Sequence, residues 1–175
     1  MTKGNINSKK GFTIIEVVLV LAIAGLIFLM VFIALPNLQR SQRDTQRRND
    51  YSSLSANMTA YMTNNNGSLP ADGVGNTVLG ANAAKNYINK DGTDPNGLTY
   101  GINVYTCTSA DCPGTADNTT NFKFTAPVTT SATQVRIIKK ATCNGGFVKY
   151  LNSTRAFAIL GQLESGNGYY CTASQ

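Results

Sequence analysis

The chain has 175 residues, of which 15 are lysine or arginine and 9 are aspartate or glutamate, so its formal net charge is +6. It has no histidine, no serine or cysteine beside a plausible base and no carboxylate pair near a glycine-rich phosphate loop, which argues against an enzyme and predicts no catalytic residue and no cofactor. From Tyr51 onward eight lysines and arginines face six aspartates and glutamates, and a nearly neutral domain without a basic patch argues against nucleic-acid binding.

Residues 12–35 form an apolar run with one charge, Glu16. As a helix the run would measure about 36 Å at roughly 1.5 Å per residue, enough to cross a bilayer core. An ordinary secretory signal has a shorter apolar core and a small-residue cleavage site, and neither is present. The run therefore predicts a membrane helix that is retained. Pro36 follows it and predicts a kink or a locally melted turn, because proline cannot donate to the carbonyl of Phe32.

All four cysteines follow the apolar run. An even number in a loop-rich region indicates an oxidising exterior for that part, with the lysine-containing leader inside the cell. Three pairings are open, and the simplest joins Cys107 to Cys112 and Cys143 to Cys171. A four-cysteine zinc site is the alternative, but its ligands normally come as two close doublets. We therefore predict disulfides and no metal.

Residues 37–63 predict a helix that extends the apolar one as far as the glycine-containing break at 64–67. The first half is polar on every side, and its arginines are interpreted as a solvated face, with Asp44 able to pair with Arg40 and Arg48. The second half carries an apolar stripe that could pack on a sheet. The members of that stripe are Tyr51, Leu54, Met58, Tyr61 and Met62.

The rest of the chain predicts mainly strands. Residues 83–87 suggest a short helix, and residues 144–146 and 166–168 have the composition of hairpin turns. Five runs have strand character: 98–105, 122–126, 135–140, 147–151 and 157–163. The sequence thus predicts an α+β fold, in which an antiparallel sheet of about four or five strands packs on the stripe of the long helix.

The junction before the apolar run reads SKKGFTIIE over residues 8–16. Two lysines precede a glycine that gives a protease access to the backbone. Glu16 follows within the apolar sequence, and placing its carboxylate in a membrane costs about 3 kcal/mol on insertion scales. Over about residues 8–63 the chain resembles the type IV pilins and pseudopilins, and this junction resembles their class III leader.

The resemblance implies that a prepilin peptidase cleaves between Gly11 and Phe12 and methylates the new amine of Phe12. It gives Thr13 and Glu16 a role in assembly and register. It also implies the type IV pilin fold, organised as a leader (1–11), a transmembrane and assembly helix (12–36), an amphipathic helix (37–63) and a globular head (64–175).

Two further positions follow from the resemblance. Gly25 falls where the family often has a flexible glycine, and we take Gly25 and Pro36 as sites of a helix kink. The family's kinking proline would fall at Ile33, so the kink is displaced in this chain. The region that ends in Cys171 is similar to the disulfide-bounded C-terminal region of pilins.

The implied function is a structural pilin: a single-pass membrane precursor with a cytoplasmic N-terminus, which polymerises into an extracellular filament for adhesion, twitching motility or DNA uptake. Its partners would be further copies of the chain, the prepilin peptidase, the inner-membrane assembly platform and minor pilins. DNA stays open as a partner. A pseudopilin of a secretion or competence system and a tip-located minor pilin that acts as a binding module are the alternatives.

Two weaker signals have a structural interpretation as well. Asn89, Asp91 and Asp94 could supply oxygen ligands to calcium, but they lack the spacing of an EF-hand and fit an ordinary turn better. Tyr169 and Tyr170 could stack on bases of single-stranded DNA. Without nearby basic residues, a core or surface role is the better interpretation.

Overall fold

The computed structural model of the chain contains two units, one ending at Gln39 and one beginning at Arg40; we call the second unit the head. Helix α1 (Ile14–Asn64) begins in the first unit and ends in the head. The structure describes the following residues: 11–73, 79–108, 132–144, 147–164 and 169–174.

Helix α1 is long and apolar enough to cross a membrane, and no other helix of the described residues is. Helix α1 is continuous through Pro36. The locally melted turn, one of the two expectations for this proline, therefore does not interrupt the helix. The predicted kink at this position stays a prediction.

Helix α1 ends at the predicted break. Asn66 and Gly67 have positive φ angles of 53° and 80°, the left-handed conformation that terminates many helices. The amide of Gly67 donates to the carbonyl of Met62 at 2.8 Å, which satisfies one of the carbonyls that a helix end leaves without a partner.

The remaining elements lie in the head. Two strands, β3 (Ala141–Asn144) and β4 (Phe147–Tyr150), pair as an antiparallel hairpin across the predicted turn. The short helix of the head is α2 (Ala83–Tyr87). A second sheet contains four strands, β1 (Thr99–Thr106), β2 (Ala132–Lys139), β5 (Phe157–Gln162) and β6 (Tyr169–Ala173), in the order β1-β2-β5-β6.

This architecture confirms the predicted α+β pilin-type fold, with two differences in the sheet. Strands β1 and β2 are parallel, whereas the sequence predicted an antiparallel sheet throughout. A parallel pair needs a long connection between its strands, and the chain between Thr106 and Ala132 is long enough for one, but the periodicity of the strands does not indicate their relative direction. Strand β6 and the hairpin strand β3 were not predicted, and the predicted strand at 122–126 lies outside the described residues.

The four-stranded sheet is covered on both faces within the head. One face packs on α1 and α2, where Tyr51, Leu54 and Met58 are fully buried among strand residues. The other face packs on the hairpin, through a second cluster that includes Ile138 and Val148. The predicted stripe is therefore the helix side of the main core, and burial on both faces explains why these strands read as apolar runs.

A glycine sets the distance between helix and sheet. A Cβ at Gly161 on β5 would overlap the ring of Tyr51. The absence of a side chain lets that ring lie directly on the strand backbone, where the Tyr51 hydroxyl donates to the carbonyl of Gln162 at 3.0 Å. Burial raises the pKa of Tyr51 well above its ordinary value, so this hydroxyl stays a donor.

Candidate processing and assembly segment

The predicted cleavage junction lies just ahead of the first helical turn. Helix α1 begins at Ile14, and the carbonyl of Thr13 accepts the first bond from the amide of Glu16 at 3.1 Å. Phe12 is 86% exposed, and apart from its chain neighbours no described residue has a heavy atom within 4 Å of a Cβ position on Gly11. Exposed backbone outside secondary structure is the form in which proteases cleave a chain.

Glu16 occupies the first turn of α1 and is exposed. The hydroxyl of Thr13 donates to its Oε2 at 3.5 Å, a long contact that leaves most of the carboxylate's capacity unused. A carboxylate in a first turn interacts favourably with the helix dipole. Within the described residues no lysine or arginine forms an ion pair with it.

The apolar part of α1 is uncovered. Its large apolar side chains have exposed fractions between 46% at Leu35 and 87% at Ile14. Soluble monomers rarely expose contiguous apolar surface of this extent, so the segment requires lipid or other helices around it. Gly25 has no heavy atom within 4 Å of a Cβ position, and the roles of Gly25 and Pro36 as kink sites stay predictions.

The first turns of α1 within the head carry a buried charge cluster that the sequence did not predict. Arg47 is only 6% exposed. Its Nη2 donates to Oδ2 of Asp94 at 2.9 Å and lies 3.8 Å from Oε1 of Glu164, and its Nη1 lies 3.7 Å from Oδ1 of Asp44. The interpretation of the arginines as a solvated face is therefore wrong for Arg47.

Asp44 also differs from its predicted role as a surface partner of Arg40 and Arg48. It is buried, and its Oδ1 accepts the backbone amide of Glu164 at 2.6 Å. Arg43 reaches the same segment, since its Nε lies 2.6 Å from Oε2 of Glu164. The polar half of the helix is thus anchored to the chain that follows β5.

A second polar contact continues the cluster. Tyr100 donates its hydroxyl to Oδ2 of Asp50 at 2.8 Å, and the amide of Asn89 donates to the same oxygen at 3.2 Å. The signal for these residues was available in the helical spacing. Asp44 and Arg47 continue the period of Tyr51 and Leu54 toward the N-terminus, but their charge argued for exposure.

The electrostatics of the cluster follow from its hydrogen bonds. Burial works to raise the pKa of Asp94, but hydrogen bonds from Thr133, from the Leu98 amide and from Arg47 outweigh it and hold the pKa below its ordinary value. Burial works to lower the pKa of Arg47, and the hydrogen bond and charge of Asp94 reverse this and raise it. The pair is therefore fully ionised at neutral pH.

Two of the candidate calcium ligands, Asn89 and Asp94, accept hydrogen bonds from backbone amides within a turn. Oδ1 of Asn89 accepts the amide of Gly92 at 2.7 Å, and Oδ1 of Asp94 accepts the amides of Asn96 and Leu98 at 3.0 and 2.8 Å. Gly92 has a φ of 69°, which suits glycine at such a turn. In the described part of the chain no cluster of three candidate metal ligands occurs. These bonds support the turn interpretation.

The two tyrosines of β6 make structural contacts. The ring of Tyr170 lies 6.2 Å from that of Tyr51 in a stacked arrangement, and the guanidinium of Arg48 lies 5.5 Å from its centroid. Tyr169 packs against the cluster under the hairpin. Arg48 therefore contradicts the expectation that no basic residue lies near these tyrosines, but the contacts of both side chains with the two core clusters support the packing role over base stacking.

The described cysteines of the head are disulfide-bonded. Cys143 and Cys171 form a disulfide between the hairpin and strand β6, as the simplest pairing predicts. Cys107 is also disulfide-bonded, whereas Cys112 lies outside the described residues. The pairing of Cys107 with Cys112 therefore stays a prediction.

Comparison with known proteins agrees with the geometry of the N-terminal segment. Residues 6–32 match the family described as the prokaryotic N-terminal methylation motif. This is the class III prepilin leader signature of type IV pilins and pseudopilins, so the resemblance seen at the junction is confirmed. No curated protein and no solved structure shows a significant match to the chain.

Proposed function

We propose that this protein is a structural subunit of a type IV pilus, cleaved after Gly11, methylated at Phe12 and assembled through the apolar part of α1. One observation carries the proposal: a methylation motif leads into an uncovered apolar helix that has a single carboxylate in its first turn. A membrane anchor alone would need the apolar surface but gains nothing from Glu16, which makes insertion less favourable.

Assembly gives that carboxylate a purpose. Cleavage creates a cation at the amine of Phe12, and in a bundle of staggered helices this amine of one subunit meets Glu16 of its neighbour. The pairing offsets the cost of two charges in apolar surroundings, and it defines the axial register between subunits. Thr13 assists by holding the Glu16 side chain near the helix start.

The two-unit organisation suits a filament. The precursor spans the membrane with its leader in the cytoplasm, and the head, with its disulfide, folds in the oxidising exterior. The partners are a prepilin peptidase that methylates its product, an inner-membrane assembly platform, minor pilins and further copies of the chain. On leaving the bilayer, the apolar helix exchanges lipid for identical helices, and the heads coat the filament.

Electron microscopy of cells with and without the gene tests this function. Long surface fibres should be present in the wild type, absent from the deletion and restored by complementation, and purified fibres should contain this chain as their most abundant protein. Normal fibres in the deletion, combined with lost secretion or DNA uptake, would instead support a pseudopilin. Fibres that contain only traces of the chain at one end would support a minor pilin.

A further inference from the structure

A groove lies in the head where the end of α1, the end of β1, the β2–β3 corner and the β4–β5 connection meet. It consists of two adjoining depressions of about 530 Å³ each, which share Asn66, Gly67 and Arg155. Most of the other groups along it are polar, and hydroxyls are frequent. The hydroxyl-bearing residues that line it include Thr63, Ser68, Thr106 and Thr154.

Arg155 occupies a defined place in this groove. A Cβ on Gly67 would lie 2.8 Å from its Nε and 3.0 Å from its Nη2, so the guanidinium fills the space that a side chain at residue 67 would take. Arg155 is nevertheless exposed. Among the described residues no carboxylate lies within ion-pair distance of it.

Two lysines line the same groove. Lys139 is neutralised, because its Nζ lies 2.7 Å from Oδ1 of Asp72 and donates to the carbonyl of Pro70 at 3.0 Å. Lys140 has no comparable ion pair within the part of the chain that the structure describes. Its backbone amide donates to the carbonyl of Ala156 at 2.8 Å, just beyond the ends of β2 and β5, and both Lys140 and Arg155 line the same depression.

The groove gathers two of the few cations of a nearly neutral head. Lys140 and Arg155 are distant in sequence, and neither is conspicuous in a chain segment of nearly balanced charge. Folding brings them together, so the groove carries two positive charges that no described carboxylate offsets. Two neighbouring cations attract an anionic group more strongly than either does alone.

The chemistry of the lining restricts the partner. A guanidinium binds a carboxylate through two parallel hydrogen bonds. The hydroxyls of Thr63 and Thr106 already donate to the Thr59 carbonyl and to Asp72, so they can accept hydrogen bonds from the hydroxyls of a polyhydroxy ligand. No aromatic ring lines either depression, whereas single-stranded nucleic acid is normally bound by stacking. Binding to a duplex typically uses about six to ten phosphate contacts, far more than two cations provide.

We propose that this groove binds a carboxylated sugar of an extracellular glycan. The carboxylate lies against Arg155 and Lys140, and the sugar hydroxyls contact the threonine and serine side chains of the lining. The site belongs to the folded head and does not depend on filament assembly, so it can be tested whether or not the proposed pilus function holds.

Isothermal titration calorimetry of the full-length protein in detergent at physiological salt tests the site. The probes are a galacturonic acid hexamer, the same hexamer with its carboxyl groups reduced, and a short DNA duplex. We expect binding of the acidic hexamer and at least tenfold weaker binding of the other two. Lys140→Gln and Arg155→Gln should each weaken binding of the acidic hexamer at least tenfold.

The matched control is Lys149→Gln, which removes one charge from an exposed side chain outside the groove and should leave the affinity unchanged. An equal loss in all three variants would overturn the proposal, because diffuse charge would then explain the binding. Equal affinity for the neutral hexamer, tighter binding of the duplex, or no binding of the acidic hexamer would overturn it as well. Far-ultraviolet circular dichroism of each variant verifies that the head is folded.

Discussion

Arg47 and Asp94 are 47 residues apart in the sequence, yet Nη2 of Arg47 donates to Oδ2 of Asp94 at 2.9 Å with both side chains buried. The pair joins α1 to the turn that precedes β1. An ion pair removed from water gives little net stability by itself, but loss of one partner leaves a buried charge uncompensated. Its consequences can be measured in the head alone.

We first predict that the chain truncated to begin at Asn37 is soluble and monomeric, because the uncovered apolar segment is removed while the packed stripe of α1 is kept. It should also contain no free thiol. Mass spectrometry after alkylation without reduction checks this, and two or more labelled cysteines would contradict the disulfides. Replacing Cys143 and Cys171 together by serine should lower the free energy of unfolding by about 3 to 4 kcal/mol in the chain-entropy model.

Arg47→Ala should destabilise the truncated protein by about 3 to 5 kcal/mol, because Asp94 and its neighbouring carboxylates lose the cation they share. Urea unfolding followed by tyrosine fluorescence measures the effect. Arg40→Ala removes the same charge from an exposed position of the same helix and should change the free energy of unfolding by less than about 0.5 kcal/mol. Similar effects of the two substitutions would show that the buried pair is unimportant.

The stability of the head should fall in acid. The pKa of Asp94 is below its ordinary value of 3.8, so the unfolded state binds the proton more readily. The stabilisation from Asp94 is therefore complete above about pH 5 and is lost as the pH falls through 3.8 toward the folded-state pKa. The pKa of Glu164 is also lowered, because hydrogen bonds from Asn96 and Arg43 and the charge of Arg47 outweigh burial, and it adds in the same direction.

Urea unfolding at a series of pH values from 7 to 3 tests this dependence. Asp94→Asn should be less stable at pH 7 and should show a shallower loss of stability in acid than the wild type. Asp91→Asn, at an exposed position of the same turn, should leave the profile unchanged. A wild-type slope that persists in Asp94→Asn would exclude Asp94 as a source of the acid sensitivity.

Processing should depend on Gly11. Mass spectrometry of purified filaments should find a chain that begins with a methylated Phe12. Gly11→Leu should leave the full-length precursor in the membrane, because a bulky side chain blocks the access that the open backbone provides. Gly25→Leu is a control of the same chemistry within the apolar helix and should be cleaved normally. Normal cleavage of Gly11→Leu would refute the assigned junction.

Glu16 should act between subunits. Glu16→Ala should leave cleavage, membrane insertion and the fold of the head intact while surface filaments become rare or absent, because the Phe12 amine of an incoming subunit loses its partner. Glu16→Asp keeps the charge and should assemble better than Glu16→Ala. Counting filaments by electron microscopy, with membrane fractionation of the same cells, measures both effects. Filaments of normal number and length in Glu16→Ala cells would remove the register mechanism.

Local sequence was sufficient to predict the segments whose structure depends mainly on neighbouring residues in the chain. The apolar run and its carboxylate predicted the membrane-type helix and the leader motif, because hydropathy and cleavage signals are read along a continuous segment. The stripe from Tyr51 to Met58 predicted the packed face of the head, since helical spacing alone places those side chains together. The break after Asn64 was equally local, because left-handed backbone favours glycine and asparagine.

Tertiary structure decided what depends on partners distant in the chain. An arginine side chain such as that of Arg47 is normally solvated. Only the ion pair with Asp94, in the turn before β1, makes its burial favourable. Side chains along β1 and β2 alternate in the same way in a parallel and in an antiparallel pair. Their alternation therefore does not predict the relative direction of the two strands. Lys140 and Arg155 line one groove because a hydrogen bond from the Lys140 amide to the Ala156 carbonyl joins the two segments. In each case the deciding free energy belongs to a contact between segments, and neither segment alone identifies its partner.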